Sequence, residues 1–316
     1  MRSDNTGREI ETLRFLCIMT RFVFLRETEM AKVTVALIYD FDGTLSPKNM
    51  QEFSFIEALG MDSSQFWGTA KKLSKENDAS GILCYMKLML EEAKHAKIPV
   101  KRESFVNFGK KVELFNGVKE WFSLINKYGE ELGLNIQHYI NSSGLKEMIE
   151  GTPIAKEFKN IYACSFLYDI NGVAEWPAVA VDYTTKTQFL FKINKGIKEV
   201  SDNKKINEYV PEDERPIPFK RMIYFGDGET DIPCMKMVKQ NGGYSIAVYT
   251  PKDPNKRKTA EKLILNNRVN FVCKADYTES KDVYKVVTTI LQKMKRDYDF
   301  ECLQNKHLAD ARKNLK

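Results

Sequence analysis

The sequence predicts an α/β protein: a doubly wound parallel sheet with a helical module inserted behind its first strand. Three observations carry this. Short apolar runs recur, each followed by a polar or glycine-bearing loop and then an amphipathic helical pattern, the alternation expected of a parallel sheet with helices on both faces. Between Ser46 and about Phe115 the strand pattern vanishes and only helical periodicity is left. Finally, the first apolar run, Val33–Tyr39, closes on Asp40-Phe41-Asp42-Gly43-Thr44-Leu45. Side chains two apart on a strand face the same way, and open α/β sheets place their ligands at strand carboxyl ends.

Val33–Tyr39 is the first strand because it is apolar and β-branched. Gln51–Leu59, Ser64–Lys75, Ile82–Ala96 and Arg102–Val112 then read as helices, and Gly117 opens another, Val118–Tyr128. Within the insert, Phe53, Phe55, Phe66 and Trp67 are expected to form a small core rather than line a pocket. Leu134–Ile140 is the second strand, running into Asn141-Ser142-Ser143-Gly144 and a helical pattern. Asp169-Ile170-Asn171-Gly172 is a turn signal between strand-like flanks, so Ile161–Gln188 is read as a β-hairpin. Phe189–Val200 reads as a helix, and the polar Ser201–Arg215 as an exposed loop. Arg221–Phe225 leads into Gly226-Asp227-Gly228-Glu229-Thr230-Asp231 and the helix Ile232–Lys239. Tyr244–Tyr249, a Pro/Lys loop, a helix near Lys256–Leu265, a strand Val269–Cys273 and a closing helix Asp282–Met294 complete the series.

The chain has 316 residues, of which 43% are apolar, enough for a sizeable core. Its net charge of +6 is mild. Lys252, Lys256, Arg257 and Lys258 read as solvated surface, and residues 299–316 as a frayed basic tail. No clustered basic stripe or known module suggests nucleic-acid binding. No apolar run is long enough for a membrane helix. The cysteines, six in all, are dispersed and no zinc spacing appears, which suggests reduced thiols in a cytoplasmic protein; Cys164 and Cys234 read as core residues, and His95 and His138 as surface or packing histidines. Residues 1–30 read as an extension outside the fold, with Met30 just ahead of the first strand.

Three strand ends therefore offer Asp40/Asp42, Ser142/Ser143 and Asp227/Asp231 along one sheet edge, with Lys195-Gly196 adding a cation near a helix. Carboxylates, a hydroxyl and a lysine, without histidine or thiol, suit a hard oxygen-ligated cation such as Mg²⁺ and a phosphoryl group. A carboxylate facing a phosphate dianion at about 4 Å in an effective dielectric near 20 meets roughly 4 kcal/mol of repulsion per unit pair, which a divalent cation and a lysine can cancel. The N–H groups of the Gly43-Thr44 turn, and of the helix that Gly144 helps open, suit anion binding.

Asp-Phe-Asp-Gly-Thr-Leu, a strand ending in Ser, Lys-Gly, and Gly-Asp-Gly-x-Thr-Asp, in that order from Val33 to Met294, resemble the haloacid dehalogenase superfamily in its phosphoserine-phosphatase-like, aspartate-nucleophile branch. The resemblance implies a Rossmann-like core, residues 31–46 plus 116–298, with a helical cap domain at 47–115. It implies Asp40 as nucleophile and Mg²⁺ ligand, Asp42 as general acid/base and backbone metal ligand, and Asp227 and Asp231 as metal-site carboxylates. Ser142 would bind phosphate, with Ser143 as the alternative, beside Gly43, Thr44 and Gly144. Lys195 would neutralise the phosphate and the nucleophile, with Lys186 as its competitor. The implied activity is hydrolysis of a small phosphorylated metabolite through an aspartyl-phosphate; a phosphomutase and a non-catalytic phospho-ligand binder are the alternatives. The sequence departs from phosphoserine phosphatases in carrying Asn49 and Gln51 near where an acidic substrate-binding residue would be sought.

Overall fold

A computed structural model describes residues 32–251 and 253–315; the expectation for residues 1–30 lies outside them. One sheet of seven strands organises the fold, in the order β4-β3-β2-β1-β5-β6-β7. The strands are β1 (Val33–Tyr39), β2 (Leu134–Leu145), β3 (Phe158–Tyr168), β4 (Ala174–Val179), β5 (Met222–Gly226), β6 (Tyr244–Tyr249) and β7 (Phe271–Lys274). All neighbours are parallel except the β3–β4 hairpin. β1 is central and almost wholly buried, which is why it reads as a continuous apolar run rather than an alternating one.

Between β1 and β2 the chain is helical: a 3₁₀ turn at Met50–Phe53, then α1 (Phe55–Ala58), α2 (Ser63–Glu76), α3 (Gly81–His95), α4 (Arg102–Gly109) and α5 (Val118–Glu131). The first four of these helices form the inserted cap. Asp62 and Ser80 cap α2 and α3 with their side chains. Phe55, Phe66 and Phe105 are fully buried in the cap, whereas Trp67 is only partly so. The cap is pinned to the hairpin, where Arg102 N–H donates to Gly172 O and Ala174 N–H to Val100 O. Its exit is fixed at Gly117, whose left-handed φ of +78° and approach to Thr278, 2.5 Å from an ideal Cβ to the backbone nitrogen, leave room only for glycine.

The remaining helices are α6 (Lys146–Gly151), α7 (Thr185–Asn194), α8 (Asn203–Asn207), α9 (Ile232–Gln240), α10 (Pro254–Leu265) and α11 (Asp282–Asn314). From β1 the chain steps outward one way through β2 to β3, and the other way through β5, β6 and β7. Right-handed crossovers then put α5 and α6 on one face and α9 and α10 on the other. The order reverses between β1 and β5, so the crevice for a ligand opens above those two strands.

Several boundaries differ from the sequence reading. β2 continues through Ser142, Ser143 and Gly144 to Leu145, with a register shift against β3 beyond Asn141. Helix α7 starts at Thr185 rather than Phe189 and stops at Asn194, where Gly196 takes a φ of +69°. The Ser201–Arg215 segment contains α8 and a 3₁₀ turn at Glu212–Glu214. The tail is not frayed: α11 runs unbroken to Asn314, braced by the i,i+4 pairs Lys293–Asp297 and Lys295–Asp299. Among the described residues, no helix is long and apolar enough to cross a membrane.

Candidate active site

β1 delivers Asp40 to the sheet edge, where its N–H donates to Phe225 O of β5 at 2.9 Å. The chain then turns tightly: the N–H groups of Thr44, Leu45 and Ser46 converge on Phe41 O, and Gly43 N–H donates to Ser46 O. Gly43 is required here. Its φ is +78°, and a Cβ would lie 2.3 Å from the Asp227 carboxylate. The same hydrogen bonds correct one expectation. The Gly43 and Thr44 N–H groups close the turn and are not free for an anion, and Thr44 is fully buried behind the cavity wall.

Three carboxylates meet beneath the turn. Asp40, Asp227 and Asp231 each offer an oxygen, all within 4.8 Å of one another, and all three residues are buried. Asp231 is fixed by Tyr224 OH at 2.8 Å and by Gly228 N–H at 3.4 Å. Asp42 points elsewhere: its Oδ1 accepts from Met50 N–H at 2.9 Å, so its side chain faces the cap entrance rather than the cluster.

The lysine in this cluster is Lys186. Its Nζ donates to Asp40 Oδ1 at 2.9 Å and to Asp231 Oδ1 at 2.7 Å, and its side chain is 1% exposed. Lys195 stands elsewhere, past the end of α7, with its Nζ on the carbonyls of Ile206 and Glu208. The early start of α7 explains the correction: Lys186 lies in its first turn, facing the sheet edge. The clue in the sequence was Asp182-Tyr-Thr-Thr, a start signal, and Thr185 Oγ1 indeed accepts from Asp182 N–H.

The extended end of β2 brings in the serines. Both Ser142 and Ser143 line the cavity, with Gly144. Ser142 Oγ accepts from Gly144 N–H at 3.0 Å, leaving its own proton to donate. Ser143 Oγ is buried without a partner, and the Ser143 carbonyl is held by Tyr85 OH at 2.7 Å and Cys164 Sγ at 3.3 Å. A buried hydroxyl without a partner is a site that a ligand can satisfy.

The cavity above these groups has a volume of about 490 Å³. Its floor is Asp40, Asp42, Gly43 and the serine segment, and its upper wall comes from the cap: Lys48, Asn49, Gln51, Glu52, Trp67, Ile82 and Tyr85. Trp67, expected in the cap core, thus takes part in the wall. Its Nε1 donates to Glu52 Oε1 at 2.9 Å, and Asn49 Nδ2 holds the same oxygen at 2.5 Å. Lys256 also lines the cavity and pairs with Asp227 Oδ2 at 2.8 Å. From the sequence alone it reads as solvated surface, since nothing in a Pro/Lys loop marks which lysine turns inward.

Burial dominates the electrostatics. It raises the Asp40 carboxyl, with Asp231 pushing the same way and Lys186 opposing. Asp42 is raised well above the ordinary carboxylate range, first by burial and then by the charge of Asp40. Asp227 is raised by burial, with Lys256 opposing. Two lysines, Lys186 and Lys256, face the three clustered acids Asp40, Asp227 and Asp231. Three buried oxygen donors and no nitrogen or sulfur ligand fit a hard divalent cation.

A family model described as haloacid dehalogenase-like hydrolase matches residues 37–236. The chain belongs to that family. An uncharacterized protein of Borreliella burgdorferi (strain ATCC 35210 / DSM 4680 / CIP 102532 / B31) is 33% identical over 277 residues, 79% of this chain and 94% of its own. Among solved structures, the fold resembles a probable phosphoserine phosphatase from Vibrio cholerae, with a TM-score of 0.53, 10% identity and coverage of 84% of this chain and 67% of that one. It also resembles a substrate-bound phosphoserine phosphatase, with a TM-score of 0.50, 14% identity and coverage of 81% and 98%. At such identities the likeness is one of fold. The family match places this chain among the hydrolases of that fold, with a cap over the crevice between β1 and β5.

Proposed function

We propose that this haloacid dehalogenase-like hydrolase is a Mg²⁺-dependent phosphomonoesterase acting on a small cytoplasmic metabolite through an aspartyl-phosphate. One observation carries the reading. Asp40 sits at the floor of the cavity against the Lys186 ammonium, inside a buried trio of carboxylates, with Asp42 beside it facing the cap.

Asp40 is the nucleophile: a carboxylate oxygen forms the bond to phosphorus as the ester oxygen departs. Asp42 gives its proton to that oxygen and later takes one from the water that cleaves the aspartyl-phosphate. Its raised pKa suits the first task, because a carboxyl at its ordinary value would be ionised near neutrality. Lys186 neutralises Asp40 and the incoming phosphoryl oxygens, and keeps Asp231 from repelling either. Ser142 and Ser143 donate hydroxyl protons to the phosphoryl group. Asp40, Asp227, Asp231 and the Asp42 backbone would hold Mg²⁺, which supplies the charge that draws dianion and carboxylate together. The cap walls read the leaving group.

A panel of phosphorylated metabolites, assayed for phosphate release with Mg²⁺, tests this, with Asp40→Asn as the inactive control. We expect release from one or a few esters, abolished by the substitution and by chelator, and a transient phosphate on the peptide containing Asp40. Turnover surviving Asp40→Asn would overturn the mechanism.

A further inference from the structure

We propose that Lys256 is a displaceable counter-ion of the carboxylate cluster: its ammonium holds Asp227 in the cation-free protein and yields that carboxylate when a divalent cation binds. The proposal rests on reading Asp40, Asp227 and Asp231 as a cation site.

The two lysines on this cluster are built differently. Lys186 is sealed in, 1% exposed, and bonded to both Asp40 and Asp231. It has two partners to lose and no solvent to move into. Lys256 comes from the first turn of α10, across the cavity mouth, and touches the cluster only at Asp227 Oδ2. Its side chain is 47% exposed whereas that of Asp227 is 10% exposed. The ammonium can therefore swing into water, and the carboxylate cannot follow.

Asp227 is also braced from behind. Its Oδ2 and Oδ1 stand 2.3 and 2.7 Å from where a Cβ on residue 43 would lie, so the carboxylate packs against the bare Gly43 backbone. A cation arriving at the trio must take the carboxylate where it stands, in competition with Lys256. A half-exposed single-contact pair is weak, and a flexible lysine stem releases readily. An arginine would grip more firmly, because its planar fork can bind both oxygens at once. Neighbouring Arg257 does not compete, since its Nε is held by Glu261 at 2.8 Å.

The test is a Mn²⁺ titration of the full chain followed by electron paramagnetic resonance, which needs no substrate and no turnover. Wild type is compared with Lys256→Gln, Lys256→Arg and Asp227→Asn. We expect Lys256→Gln to bind Mn²⁺ about fivefold more tightly, the scale of one exposed ion pair. Lys256→Arg should bind no more tightly than wild type, and Asp227→Asn should bind far more weakly. If wild type binds Mn²⁺ and Lys256→Gln binds equally or less tightly, the displacement proposal fails while the cation site stands. If wild type itself binds no Mn²⁺, the reading of the cluster fails and takes the proposal with it.

Discussion

Lys186 and Lys195 stand at opposite ends of α7 and do unrelated work. Lys186 bonds two buried carboxylates, whereas Lys195 ties the end of its helix to the carbonyls of Ile206 and Glu208. Removing one partner of a buried ion pair costs roughly 3–5 kcal/mol, because the remaining charge is stranded. Lys186→Met should therefore lower the melting temperature and, on the proposed reaction, cut turnover by about a thousandfold. Lys195→Met should leave turnover within about twofold, as peripheral substitutions do. Steady-state assays on both variants decide between them, and equal losses would refute the assignment. The sequence concealed this choice for a physical reason. The first turn of α7, Thr185-Lys186-Thr187-Gln188, is polar although Lys186 is buried, because it carries the charge that the cluster needs. Hydrophobic periodicity begins only at Phe189, so a helix read from apolar spacing starts one turn late.

Elements buried on both faces were the most legible. β1, β5 and β6 are almost continuously buried, and each appears in the sequence as a largely apolar run, broken only by Thr34 in β1 and Ser245 in β6. Where partners distant in sequence decide, legibility ends: the last residues of β2 are held by Tyr85, Cys164 and Met50 Sδ, none of them local. His138 shows how such a partner binds elements together. Trp121 Nε1 donates to Tyr39 OH at 2.8 Å, Tyr39 OH donates to His138 Nδ1 at 3.0 Å, and His138 Nε2–H donates to Asn126 Oδ1 at 2.9 Å. This chain joins β1, β2 and α5 and fixes a neutral imidazole. Burial pushes the His138 pKa down to about 3 from its ordinary 6.5. A folded-state pKa below the unfolded value means the unfolded chain binds more protons below pH 6.5, so stability falls as the pH drops through that range. At about 1.36 kcal/mol per pH unit, the loss attributable to His138 is roughly 2 kcal/mol at pH 5. Urea unfolding at pH 7.5 and pH 5 should show a smaller difference for His138→Gln than for wild type. An unchanged difference would mean that other groups govern the acid limb.

At the scale of the molecule, the sheet and the insert divide the labour. Every group in the carboxylate–lysine cluster comes from the sheet's connections, around the point between β1 and β5 where strand order reverses. The upper wall of the cavity comes from the helices behind Ser46, and these carry no member of that cluster. On the proposed reaction this division would separate chemistry from recognition, so a substitution in the cap wall should change which ester is used without disabling the chemistry. Trp67 is the sharpest probe. Its ring packs edge-on against Phe66 at 5.1 Å and Tyr85 at 5.7 Å, and its Nε1 fixes Glu52. On the proposed reaction, Trp67→Ala removes one face of the leaving-group space and leaves the Glu52 carboxylate held by Asn49 without the indole N–H. Pocket contacts of this kind are worth about 1–3 kcal/mol. The variant should therefore raise KM for the preferred metabolite by about tenfold or more, while kcat for a small generic ester such as p-nitrophenyl phosphate stays within about threefold. Parallel kinetics on the two esters make the comparison. If kcat fell equally for both, with the order of substrate preference unchanged, Trp67 would be serving the phosphoryl-transfer machinery, and the cap could no longer be assigned to recognition alone.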